Sequence, residues 1–330
     1  MRFRPVYRLV IGNVDIDITK DVSASTLVRL TVECAMDAPA DHFTLTLTPK
    51  GGVQPEVGND IKIELGFDDE LTLVFTGKVT EVAPKLTAMR VAGLSPIQDL
   101  LALRVDQTYE QRTAGQIVSD LASQASVNTA TVEDGISFPQ YVVDSRQSAS
   151  AHIHLLAQRC GFDAYVTPEG ELAFRRFTQQ ARSVVFTYGE TLLDYSLTTR
   201  PVPAREVQVI GESPASSEGE DAASWLTKEF QVGKATGSGG TGTIVVSDPA
   251  MRTTAAANQR ADGIMRRYRQ RAKIGTLRAL GRPELVLGDA IRIEDAPDER
   301  LNNVFQVRAI RHRLDRRLGL ITEADFWDMP

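Results

Sequence analysis

Between Tyr7 and Leu94 apolar residues fall repeatedly at alternate positions, in short runs separated by proline, Gly-Gly and Asp-Asp. The runs YRLVIG, LVRLTVEC, HFTLTLT, DIKIELGF, LTLVFTGKVTEV and AMRVAGL are rich in Val, Leu, Ile and Thr. A period of two with such residues predicts strands. In DIKIEL, Ile61, Ile63 and Leu65 share one face while Lys62 and Glu64 share the other. One face is then on a core and one in water, as in a barrel or sandwich.

Near Leu100 the period lengthens. Thr113 and Gln116 fit a capping box, followed at helical spacing by Ala114, Ile117, Val118, Leu121, Ala122 and Ala125. A second helix is expected after Ser148, with a stripe of Ala149, Ile153, Leu156, Ala157 and Cys160, and Gly161 to end it. FDAYV and ELAFRRF flank TPEG, which predicts a tight hairpin. From Val184 strands resume. GKATGSGGTG has the composition of a flexible linker. A long helix is expected over 249–273, with Asp248 as N-cap, Pro249 at the first position, and Ala257, Ala261, Ile264, Met265 and Tyr268 buried.

The chain also repeats itself. VGNDIKIELGFDDELTLVFTGKVT (57–80) lies without a gap over LGDAIRIEDAPDERLNNVFQVRAI (287–310), and eight of twenty-four pairs are identical, Ile61/Ile291 and Ile63/Ile293 among them. A weaker match precedes it: Thr26–Leu27 over Thr191–Leu192, then Pro39–Ala40 over Pro203–Ala204. The halves are separated by about ten residues in the first copy and about seventy-five in the second. A mainly β chain follows, with two similar β-barrel-like domains at 1–103 and 181–330, an α+β module at 104–180 between them, and one long helix inserted in the second.

Composition narrows the classes. At 36.2 kDa there is room for two or three cores, and a net charge of −6 argues against a general nucleic-acid binder. No run of about 18 apolar residues marks a membrane span, and the N-terminus shows no signal-peptide pattern. Cys34 and Cys160, the only cysteines, are too few for a disulfide scaffold.

Candidate chemistry is sparse. His152 and His154, two apart on a helix, point about 200° from each other and cannot share a metal. GSGGTG lacks the Lys-Ser/Thr of a phosphate loop. Asp68, Asp69 and Glu70 are a carboxylate cluster, but Asp298 and Glu299 recur in the other copy, which fits a solvated turn better than a glycosidase. GESPASSEGED (211–221) is expected to be an exposed acidic loop. The basic stretches 266–273 and 311–317 are either solvated ends or a contact surface for an acidic partner. No catalytic, cofactor-binding or metal residue is assigned, and the chain is expected not to be an enzyme.

VYRLVIGNVDI…LVRLTVECAMDAPADHFTLTLT, the helix-helix-hairpin run from DQTYEQRTAGQIVSDLASQASV to FDAYVTPEGELAFRRF, and the close RPELVLGDAIRIE…FQVRAIRH together resemble the late-control D and VgrG-like baseplate hub proteins of contractile phage tails and injection systems. The resemblance covers nearly the whole chain. It implies a structural, homotrimeric hub in which three chains present six barrels, joining a sixfold tail tube protein to a threefold spike. It also implies contacts with other baseplate proteins, synthesis in the bacterial cytoplasm and assembly into a virion or injection particle. VgrG-type proteins often continue into an OB-fold and a β-helical spike. This chain stops at FWDMP, so the spike is expected to be a separate protein. The other class considered is a tail-associated cell-wall hydrolase or carbohydrate-binding protein, which clustered carboxylates or exposed aromatics in a cleft would favour.

Overall fold

The alternating runs of the first hundred residues form β1 (Pro5–Ile11), β2 (Val14–Asp17), β3 (Leu27–Ala35), β4 (His42–Leu47), β5 (Asp60–Phe67), β6 (Glu70–Pro84) and β7 (Met89–Leu94). This is a computed structural model, and it describes residues 4–21, 25–48, 54–178, 183–211 and 232–329. The strands pair antiparallel in the order β3-β4-β7-β6-β5-β1-β2. Alternation sends Leu9, Leu30, Phe43, Leu45, Ile61, Ile63 and Phe75 into one apolar cluster. Phe43 and Phe75 meet edge to face there, 5.4 Å between ring centres.

The middle of the chain forms α1 (Ile97–Ala102), β8 (Gln107–Thr113), α2 (Ala114–Gln124), β9 (Thr129–Val132), β10 (Ser137–Val143), α3 (Ala149–Cys160), β11 (Asp163–Val166) and β12 (Leu172–Arg175). Thr113 and Gln116 close the expected capping box, Ser148 caps α3, and Gly161 ends it at φ +68°. β11 and β12 form the expected hairpin.

The second copy contains β13 (Ser183–Thr187) and β14 (Leu192–Thr199), then an insert of β15 (Glu206–Ile210), β16 (Val232–Thr236), β17 (Thr243–Ser247) and α4 (Thr254–Gln270). It continues with β18 (Lys273–Leu280), β19 (Ala290–Glu294), β20 (Val304–Asp315) and β21 (Gly319–Asp328). Its order, β14-β18-β21-β20-β19-β13, repeats β3-β4-β7-β6-β5-β1, except that β13 runs parallel to β19 where β1 runs antiparallel to β5. Even the irregularities recur. The β3/β4 ladder shifts between Leu27 and Arg29, and the β14/β18 ladder between Leu192 and Asp194. The β6/β7 ladder shifts between Val79 and Glu81, and β20/β21 between Val307 and Ala309. Such bulges add one residue and increase local twist, so both copies bend at corresponding places.

The structure corrects several details read from the sequence. Thr26–Leu27 does correspond to Thr191–Leu192, but Pro203–Ala204 leads into β15, which is the centre of a separate sheet, β16-β15-β17. The true counterpart of β4 is β18. The insert enters where the first copy has only the β3–β4 turn, and alternation alone could not tell an inserted strand from the frame. The gapless match of 57–80 with 287–310 holds on β5 and β19 but slips by two on their partners: Asp60 faces Lys78, whereas Ala290 faces Gln306. β5 and β6 run on to a two-residue turn at Asp68 and Asp69 with a bulge at Val74, while residues 295–303 form a longer loop.

In GKATGSGGTG, the first residues belong to β16, so they are strand rather than linker. α4 begins later than expected. Thr253, not Asp248, accepts the Ala256 N–H as N-cap, because the Asp248 carboxylate is held by Arg159. Most of the acidic loop 211–221 lies outside the described residues.

Three apolar clusters result. Val207, Val209, Met251, Ala257, Ala261 and Met265 of the insert join the cluster of α2, α3, β10 and β12. The helices α3 and α4 touch through glycines: a Cβ on Gly161 would stand 2.7 Å from the Gly263 Cα. The third cluster, around Phe186, Ile291, Phe305 and Phe326, lies inside the second copy. β20 pairs with β3 over Ala309–Asp315 against Ala35–Arg29, which fuses both copies into one thirteen-stranded sheet. Because β20 occupies the outer edge of β3, the first copy stays open instead of closing β3 onto β1 and β2.

Ile61 and Ile291, at matched places on β5 and β19, are both fully buried. Ile61→Asp and Ile291→Asp should each lower stability by about 2–5 kcal/mol, the scale of an unpaired buried charge. Thermal melts of both variants check this, and a wild-type melting temperature for either would refute the matched register.

Candidate functional site

Where the two copies, the middle module and the insert meet, the chain buries charge. Arg308, the bulged residue of β20, is 3% exposed. Its Nη1 donates to Asp163 Oδ1 at 2.6 Å and its Nη2 to Asp37 Oδ1 at 3.0 Å. Asp163 opens β11 and Asp37 lies in the β3–β4 turn. Asp163 also accepts from Arg267 of α4 at 3.2 Å and from Gln306 Nε2 at 2.7 Å, and Gln306 accepts in turn from Gln270. The guanidiniums of Arg308, Arg271 and Arg267 lie 4.3, 4.7 and 5.4 Å from the Trp327 ring centre. Burial would raise the Asp163 carboxyl, but Arg308 and Arg267 outweigh it and hold it at about 2.

A second buried group ties the insert to α3. Arg159 donates through Nε and Nη2 to both oxygens of Asp248, 3.0 Å each, and through Nη1 to Tyr141 Oη at 3.1 Å.

Along the β20–β3 joint the solvent side carries an ion ladder. Arg311 donates to Glu33 at 2.9 Å and to Glu323 at 3.3 Å, and Arg313 reaches Glu323 at 3.4 Å. The hydrogen bond from Arg311 holds the Glu33 carboxyl below its usual range. On the core side His312 is buried, with Nδ1 at 3.0 Å from Thr322 Oγ1, and burial lowers it to about 4. Asp41, buried beside the joint and accepting the Ala35 N–H, is pushed up to about 7 by burial.

These groups account for part of both basic stretches. Arg266 and Arg269 donate to the carbonyls of Gly161 and Thr236, and Arg267 to Asp163. Arg316 donates to the Leu27 carbonyl. Part of each stretch therefore binds the chain to itself, while Arg271, Arg313, Arg316 and Arg317 are exposed as solvated ends would be. The sequence offered one signal for this, since Gln306, Arg308 and His312 fall at positions where a strand buried on both faces would carry apolar side chains.

The remaining candidates stay apart. His152 Nε2 lies 3.0 Å from the Asp144 carbonyl and His154 Nδ1 2.9 Å from that of Ser150. Asp298 is paired with Arg300, and Asp68 sits in the tight β5–β6 turn at φ 56°. Cys160 is free, accepts the Ile136 N–H, and burial pushes its thiol up to about 11. Among the described residues no three His, Cys, Asp or Glu side chains come together as a metal site, and no helix is long and apolar enough to cross a membrane.

Removing Asp163 leaves buried Arg308 with only the Asp37 carboxylate and takes the carboxylate from half-buried Arg267. Asp163→Ala should cost about 3–5 kcal/mol, whereas the same change at Asp69, on the exposed turn, should stay within about 0.5 kcal/mol. Urea unfolding of the two variants measures the difference.

His312 predicts a pH dependence. It binds no proton in the fold until about pH 4, but in the unfolded chain it does so near pH ~6.5. Its contribution is complete above ~6.5 and falls away as the pH drops toward 4. Asp41, raised in the fold, works in the opposite direction over an overlapping range. The difference in stability between wild type and His312→Leu should therefore change across this window and be flat from pH 7 to 8. Denaturant titrations at each pH report it.

No protein-family model matches the sequence, and no curated protein matches it. Solved structures do match its fold. The 43 kDa tail protein of prophage MuSo2 from Shewanella oneidensis aligns over 98% of both chains at TM-score 0.74 and 14% identity. A tail protein from Neisseria meningitidis MC58 aligns over 98% of this chain and 97% of its own, at TM-score 0.69 and 14% identity. The Escherichia coli c3393 protein is described as a type VI secretion system component structurally similar to bacteriophage T4 tail proteins gp27 and gp5. It aligns over 98% of this chain and 76% of its own, at TM-score 0.62 and 11% identity. The mainly β fold, with its α+β module, is the fold of these tail and secretion-system proteins.

Proposed function

We propose that this chain is a structural baseplate hub of a contractile tail or injection system, connecting a sixfold tail tube protein to a threefold spike carried by a separate protein. The observation that carries the reading is the reuse of one strand order, with two of its bulges, in two copies fused edge to edge through β20 and β3. Two equivalent units in one chain, closed about a threefold axis as a homotrimer, give six similar units around a channel. Copy-specific parts, the middle module and the insert, break that equivalence and offer a threefold face to the spike and other baseplate proteins. The fold shared with the tail proteins above supports the same reading.

The hub assembles in the bacterial cytoplasm into the particle. Its role is to hold and orient; neither catalysis nor sequence-specific nucleic-acid binding belongs to it. Electron microscopy of the assembled particle tests the proposal. The expected density is a ring of three chains at the junction of tube and spike, with repeat units alternating around the channel. A monomer standing apart from the tube axis would overturn it.

A further inference from the structure

The internal joint between the copies is a template for one that a single chain leaves unmade. β20 pairs along one edge with β19 through Val304–Gln306, and then with β3 through Ala309–Asp315. Its counterpart β6 pairs along the same edge with β5 only as far as Lys78. Beyond that, among the described residues, Glu81–Pro84 have β7 on one side and no strand on the other. Among the same residues β14, the counterpart of β3, likewise has β18 on one side and no strand on the other.

The matching bulges fix the correspondence. Val79 with Glu81 on β6 answers Val307 with Ala309 on β20, and Leu27 with Arg29 on β3 answers Leu192 with Asp194 on β14. Hence Glu81 and Ala83 stand where Ala309 and Arg311 stand, and Thr198 and Arg200 where Glu33 and Ala35 stand.

We infer that β6 of one chain pairs antiparallel with β14 of a second copy of this chain, in the register of the β20–β3 joint. This deepens the ring proposed above and rests on it for the number of chains. The register sets Glu81 opposite Arg200 and Ala83 opposite Thr198.

Two observations favour a second copy as the occupant. Glu81 and Arg200 are opposite charges brought face to face, and Lys85 lies diagonal to Asp194. At the internal joint the facing pair is Arg311 with Glu33, displaced along the strands and reversed in sign. The two joints are therefore not interchangeable.

Finally, the backbone groups point the right way. The N–H of Lys85 donates to Ala88 and that of Arg200 to Ala272, both into the chain's own sheet. The intervening groups of β6 and β14 then face outward, as alternation along a strand requires. Pro84 and Pro201 each lack one donor, which makes this ladder weaker than the internal one. It also limits strand addition by unrelated chains.

The test uses the full chain. Ala83→Cys with Thr198→Cys, oxidised under conditions that leave the wild type unlinked, should give a covalent trimer on a non-reducing gel. Ala83→Cys with Ser196→Cys, one step out of register, should not. Independently, Glu81→Arg should weaken assembly about tenfold or more by light scattering over a dilution series, and adding Arg200→Glu should restore it. A protein that stays monomeric at every concentration overturns both the pairing and the ring. A trimer that links through 83 and 196, or through neither pair, overturns this joint and leaves the ring standing.

Discussion

The carboxylate of Asp163 holds the molecule's parts in their relative positions. Apolar burial is non-directional, and here it centres on three clusters, with Leu314 and Leu320 of the second copy reaching into that of the first and Met36 and Tyr165 into that of the second. The β20–β3 ladder sets the two copies edge to edge, and the ion group adds direction where the middle module and insert meet them. Asp163 on β11 receives Arg308 from β20 and Arg267 from α4, and Arg308 extends the link to Asp37 in the first copy. Short charge-assisted hydrogen bonds are directional. Each partner also makes the burial of the others tolerable, since none of these charges is stable alone in the interior. The geometry of one ion group thus sets how four segments, far apart in the chain, stand to one another.

How much of this was legible in the sequence varied with the kind of signal. Alternation on β3, β4 and β5 and helical spacing on α2 and α3 gave elements in the right places, because there the buried face is apolar and the caps at Thr113 and Ser148 are local. The echo of Ile61 and Ile63 in Ile291 and Ile293 revealed the duplication, because matched strands need matched inward side chains. The equivalence of β4 and β18 was hidden, because the insert separates β14 from β18 and its own strand β15 alternates equally well. The joint was also hidden. A pattern reading places Arg308, Arg311 and Asp163 in water, and nothing local reveals that their partners lie more than a hundred residues away or, for Arg308, on the opposite copy.

The two copies also show what duplication leaves free to vary. Strand order and bulges are retained, and these determine curvature and the outline of each unit. Connections are not: a short turn between β3 and β4 corresponds to the whole of β15, β16, β17 and α4 between β14 and β18. Loops tolerate insertion far better than ladders do, because lengthening a closed loop adds little entropy. A new module can therefore enter at one turn while the frame around it stays intact.

The partnership of β3 with β20 also bears on how the chain is made. Their paired residues lie about 280 positions apart. At ~5–20 residues per second, β20 leaves the ribosome roughly 14–55 s after β3. During that interval the first copy exists with a bare strand edge, and long-range pairing of this kind is intrinsically slow. Arg29 and Glu33 alternate along that edge, and charges so placed discourage pairing with the wrong strand. The residues that later anchor the joint thus guard it while it waits, and the earliest strands to be synthesised are among the last to be completed.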